Sequence, residues 1–209
     1  MKLYDYTIAP NPRRARIFIA EKGLEIEIIQ VDLRQKEQFS ETFKAINPRC
    51  AVPVLLLDDG TAITENKGIA AYLEATHPEP PLLGKTPTEK AMIAMWNARM
   101  EYEGMLAVSE AFRNHAEGFV GRAISGPEAY PQIPELVERG KKRTQEFFQT
   151  LDAQLAQHEF ICGDNFSMAD ITAMVAVDFA DWIKLGISPQ QKHLQRWYEV
   201  VSNRPSAKA

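Results

Sequence analysis

Along the chain, the strand-like pattern of apolar and polar positions in the first third gives way to helical spacing in the remainder. Residues 2–7 (KLYDYT) are rich in aromatic and β-branched types and predict a strand. Ala9-Pro10-Asn11-Pro12 is a turn signal. In the RRARIFIAEKG stretch that follows, Ala15, Phe18 and Ile19 recur at helical spacing, and Gly23 stands where a helix stops. Residues 26–32 (IEIIQVD) predict a second strand. A strand, a helix and a strand of these lengths make a βαβ unit, whose two strands run parallel.

A short polar helix is expected over residues 40–45, ended by Asn47-Pro48. The run from Val52 to Leu57 predicts a strand, Asp59-Gly60 a tight hairpin turn, and Thr61-Ala62-Ile63-Thr64 the antiparallel partner. From Asn66 to Ala75 a helix is marked by Ile69, Ala70, Tyr72 and Leu73. Residues 77–88 (HPEPPLLGKTPT) are proline-rich and read as a linker. From Glu89 onward the pattern is helical: Met92, Trp96 and Met100 are expected on one face, and Phe147, Phe148, Leu151 and Leu155 on another helix. The stretch SGPEAYPQIPE separates two long helices. The fold class expected is therefore α/β plus all-α. A βαβαββα domain spans 1–78, a linker 79–88, and an all-helical domain 89–209.

Composition narrows the function. A formal net charge of −4 is unlike that of a nucleic-acid binder, so no nucleic-acid partner is expected. No apolar run approaches the roughly 20 residues of a membrane span, and the N-terminus has no signal-peptide core. Cys50 and Cys162 make no disulfide framework and read as reduced thiols of a cytoplasmic protein. The four histidines, His77, His115, His158 and His193, lack metal-ligand spacing, and no metal is expected.

Three local patterns carry chemistry. Val52 precedes Pro53 at the head of a strand; if that bond is cis, the Val52 peptide groups turn outward and can pair with an extended peptide ligand. Thr64-Glu65-Asn66 marks a strand-to-helix junction. Asn66 caps the helix, the free N–H groups behind it can hold a carboxylate, and Glu65 offers an anion to an ammonium group. Such a corner can grip both charges of an α-amino acid. Ser167 and Asp170 have capping-box spacing, flanked by Phe166 and Ile171 as a staple, which is structural chemistry.

Together these residues resemble the cytosolic glutathione transferase superfamily over nearly the whole chain. Its NPxxxVPxL segment is similar to Asn47–Leu55, its acidic-plus-polar pair to Glu65-Asn66, and its GDxxSxAD box to Gly163–Asp170. The resemblance implies a thioredoxin-like first domain, an all-helical second domain, glutathione as co-substrate, a small electrophile as second substrate and a homodimer. It implies that Val52, beside Pro53, pairs with the cysteinyl unit, that Glu65 meets the γ-glutamyl ammonium and that Asn66, where Ser is usual, takes the carboxylate. Gln38 or Arg49 would take the glycyl carboxylate. The family's thiolate-stabilising serine aligns with Ala9, counted back from Arg14 of Arg14-Ala15-Arg16. Alanine donates nothing, so Asn11, by side chain or peptide N–H, is the first substitute, ahead of Thr7 and Tyr6. Pro10 and Pro12 have no N–H to give. Ala9, Trp96 and Met100 are the expected electrophile-side residues, between the domains. The implied activity is detoxifying addition of the glutathione thiolate to apolar electrophiles. The alternatives are glutathione-dependent disulfide or peroxide reduction, to which a reactive Cys50 could contribute, and a non-catalytic binding protein.

Overall fold

The computed structural model describes Met1–Ala209. The chain divides into two compact units: Met1–Pro80 with Ile124–Ala129 and Ala209, and Pro81–Ala123 with Tyr130–Lys208.

The first unit is a thioredoxin-like α/β domain: β1 (Lys2–Asp5), α1 (Pro10–Glu21), β2 (Glu27–Gln30), α2 (Glu41–Ile46), β3 (Val54–Leu56), β4 (Ala62–Thr64) and α3 (Asn66–Thr76). Its sheet has the order β2-β1-β3-β4. β1 pairs parallel with β2 and antiparallel with β3, and β3 pairs antiparallel with β4. The period of two along β1 sorts its side chains. Leu3 and Asp5 are fully buried, while Tyr4 and Tyr6 pack with Phe43, Val31, Val52 and Val54.

α1 starts at Pro10, so the Pro-Asn-Pro stretch is its first turn and not a turn preceding it. The reason is that proline at the first helical positions gives up an N–H that has no intrahelical partner anyway. Two buried cations brace this unit. Arg16 Nη1 donates to Asp5 Oδ1 at 2.5 Å and Arg16 Nη2 to the Thr7 carbonyl at 2.8 Å. Lys22 Nζ lies 2.5 Å from Glu74 Oε2 and donates to the His77 and Pro80 carbonyls, tying α1 to the end of α3.

The second unit is all-helical: α4 (Pro87–Arg99), a π-helical turn (Met100–Met105), α5 (Leu106–His115), α6 (Glu135–Leu155), α7 (Met168–Ala180) and α8 (Lys192–Ser202). α4 begins ahead of Glu89 because Thr86 and Glu89 form a capping box with Pro87 at N1. Met92 is 41% exposed, whereas Trp96 is largely and Met100 wholly buried. The expected single face fails because successive i, i+4 steps drift around a 3.6-residue helix. α7 is buried along almost its whole length. Asp170 accepts from Ser167 N as expected of a capping box, and also from Ser167 Oγ, Ile161 N and Trp197 Nε1. At Gly140 an added Cβ would lie 2.7 Å from the Ala107 carbonyl oxygen, so α5 and α6 approach through a missing side chain.

Candidate active site

The β1–α1 connection is rigidly held. Arg16 takes the Thr7 carbonyl, and the Thr7 hydroxyl donates to Gln30 Oε1 at 2.9 Å. Ala9, the N-cap of α1, donates its N–H to the Tyr6 carbonyl at 2.8 Å. A helix leaves its first N–H groups without intrahelical partners. With proline at 10 and 12, Asn11 is the one residue of the first three that can present such a group. Asn11 is exposed, and its Oδ1 accepts from Arg14 Nη1 at 3.3 Å.

α3 begins beside it. Glu65, its N-cap, has φ 62° and ψ 137°, a region that a non-glycine residue rarely visits. Such strain persists only where the surroundings fix it, and here it marks the junction singled out in the sequence. The Glu65 carboxylate makes no cap to its own helix. Asn66 is buried, and its Nδ2 donates to the Asn11 carbonyl at 3.1 Å, while its Oδ1 has no partner. One of the two N–H groups of the side-chain amide expected to meet a ligand carboxylate is thus given to α1. The N–H groups of the first turn of α3 are further carboxylate donors.

The Val52–Pro53 bond is cis. Asn47 Nδ2 takes the Ala51 carbonyl at 2.8 Å, and pairing with β4 begins only at Val54. The Val52 peptide groups therefore lie just beyond the paired sheet. Cys50 sits at φ 51°, is 5% exposed and has its Sγ 3.6 Å from the Pro48 carbonyl. Arg49 is exposed, whereas Gln38 is enclosed with neither amide atom hydrogen-bonded.

The structure thus joins Asn11 directly to Asn66, with Glu65 next along the chain. Thr7 has its hydroxyl committed to Gln30, and Tyr6 packs beside the Val52 cluster. Trp96 and Met100 belong to the second unit, where Arg99 stacks 4.4 Å from the Trp96 ring and Met100 has no exposed surface. Sequence reasoning missed the Asn66–Asn11 bond, of which the residue pattern gives no sign, and the Asp5–Arg16 pair. An Arg at helix position seven facing an Asp at the strand end was the available hint.

Residues 8–76 match the model of the glutathione S-transferase N-terminal domain, and residues 95–205 that of its C-terminal domain. The chain belongs to the glutathione S-transferase family. It is 36% identical to glutathione S-transferase 2 of Saccharomyces cerevisiae over 211 residues, covering all of this chain and 88% of that protein. The crystal structure of a glutathione S-transferase domain-containing protein from Marinobacter aquaeolei superposes with a TM-score of 0.91 at 38% identity, over 99% of each chain. A Gtt2-class glutathione S-transferase of Vibrio parahaemolyticus has a TM-score of 0.84 at 33% identity, over 99% of this chain and 95% of that one. As a glutathione S-transferase the protein is a transferase, and the family's substrate is glutathione. No helix is long and apolar enough to cross a membrane.

Proposed function

We propose that this glutathione S-transferase adds the glutathione thiolate to small apolar electrophiles, with Asn11 as the thiolate's donor. The observation that carries the reading is the hydrogen bond from Asn66 to the Asn11 carbonyl, which ties the α-amino-acid corner to the first turn of α1. In this reading Glu65 takes the γ-glutamyl ammonium, the first turn of α3 its carboxylate, and Val52 the cysteinyl unit. Arg49 takes the glycyl carboxylate; its exposure favours it over the enclosed Gln38. The thiolate forms beside the Asn11 N–H groups and the positive end of α1, both of which lower a thiol's pKa.

With a chlorinated nitroaromatic, the sulfur attacks the ring carbon bearing chlorine. The C–S bond forms, chloride leaves with the bonding pair, and the thiol proton has already passed to solvent. Ala9 fits a small residue on the electrophile's side of Asn11. Detoxification, a cytoplasmic location and a homodimer complete the proposal and rest on family membership.

Glutathione calorimetry with parallel turnover of a chlorinated nitroaromatic and of hydroxyethyl disulfide tests it. Binding with nitroaromatic turnover is expected. Turnover of the disulfide alone would replace the proposal by the reductase reading, which the burial of Cys50 disfavours. Absence of binding would leave a non-catalytic member of the family.

A further inference from the structure

We infer that Arg14 and Asn66 are positioning residues that hold Asn11 from two sides, so that its amide NH2 and its peptide N–H both face the thiol. The inference rests on the reading that Asn11 serves the thiolate, and it assigns to two further residues the work of aiming it.

A side-chain amide can present either end, and the neighbours decide which. A guanidinium only donates. Arg14 Nη1, 3.3 Å from the Asn11 side chain, therefore requires the carbonyl oxygen on its side and leaves the NH2 end facing away from Arg14. Arg14 itself is 4% exposed, so the packing around its guanidinium fixes it in place. On the other side, Asn66 Nδ2 donates to the Asn11 main-chain carbonyl at 3.1 Å. That bond is inter-helical. It fixes the first turn of α1 against the first turn of α3. What Asn11 has left free of these two bonds is its set of N–H donors, while both of its carbonyl oxygens are already accepting. A serine at position 66 would lack the reach to the Asn11 carbonyl, which gives the departure from the family pattern a role in thiol activation.

Arg14 could instead act on the thiolate through its own charge, and a double-mutant cycle separates the two routes. The pKa of glutathione's thiol in the binary complex is read from thiolate absorbance near 240 nm against pH, with glutathione affinity measured alongside by calorimetry. A hydrogen bond to a charged group corresponds to about one to two pKa units. Asn11→Ala should raise the bound thiol's pKa by that amount, and Arg14→Leu and Asn66→Ser should each raise it by a large part of it. In the Asn11→Ala background Arg14→Leu should change it no further, whereas Asn66→Ser, which acts on a main-chain carbonyl that alanine keeps, should still raise it. An Arg14→Leu shift that adds to that of Asn11→Ala, or wild-type values in Arg14→Leu and Asn66→Ser, overturn the inference. A wild-type protein that binds no glutathione overturns the parent reading, and this one with it. Because Arg14→Leu can fail to fold, the wild-type protein supplies a second readout. With asparagine 15N-labelled, the Asn11 NH2 resonances, assigned by their loss in Asn11→Ala, should titrate with the bound thiol. NH2 resonances indifferent to that titration contradict the proposed orientation.

Discussion

Replacing Arg16 by methionine tests how firmly the segment before Asn11 is held. The Arg16 side chain is 8% exposed, and it donates to the wholly buried carboxylate of Asp5 and to the Thr7 carbonyl. Methionine keeps much of the volume and removes every donor. Asp5 then retains Gln30 Nε2 at 2.7 Å and loses its cation. Breaking a buried ion pair from one side costs about 3–5 kcal/mol, because an uncompensated charge stays behind. At about 2–4 °C per kcal/mol for a chain of this size, Tm should fall by roughly 6–20 °C. Adding Asp5→Asn should recover about half of the loss by removing the charge. Urea unfolding followed by far-ultraviolet circular dichroism measures the wild type, the single and the double variant at neutral pH. A cost under about 1 kcal/mol, as for a surface pair, or no recovery in the double variant, would refute the reasoning.

Other substitutions probe other links in the chain of argument. Gly140→Ala gains about 1 kcal/mol of helix propensity. It also drives a Cβ to 2.7 Å from the Ala107 carbonyl oxygen and the Ala111 nitrogen. Overpacking of about 1–3 kcal/mol or more should dominate, and an unchanged or raised Tm would contradict the close approach of α5 and α6. The Glu89 carboxyl is held below its ordinary 4.5 by the Thr86 and Lys85 backbone N–H groups. The stability it adds is complete above the unfolded pKa and fades as pH falls through the lowered folded value. Glu89→Gln should therefore flatten the acid limb of the stability curve, while an identical acid limb would remove Glu89 from it. Burial pushes the Cys162 thiol up to about 12, so a disulfide reagent at pH 8 should leave it unlabelled in the native protein and label it in urea. Rapid native labelling at Cys162 would show that the site opens.

The parts of this architecture that are written locally were legible in the sequence. Asp59-Gly60 gave the β3–β4 hairpin, the spacing of Ser167 and Asp170 gave the start of α7, and the Glu65-Asn66 junction gave the head of α3. What stayed hidden was set by residues far apart in the chain. Lys22 reaches the His77 and Pro80 carbonyls, and Trp197 donates to Asp170. Asn66 donates to Asn11, 55 residues away. No period or turn signal encodes such pairs. The π-helical turn at Met100–Met105 was hidden for a similar reason: Gly104 lies against the Phe147 ring, a packing constraint from another helix. Met100 illustrates the same limit. Its type and spacing fitted a ligand-lining face, and only packing decided that it is core.

A crystal structure of the protein with glutathione bound measures the central claim most directly. The account places the sulfur within hydrogen-bonding distance of the Asn11 peptide N–H or Nδ2, with the γ-glutamyl ammonium at Glu65 and the cysteinyl backbone against Val52. A sulfur seated instead on the Thr7 or Tyr6 hydroxyl, or a tripeptide bound away from the Glu65-Asn66 corner, would contradict it.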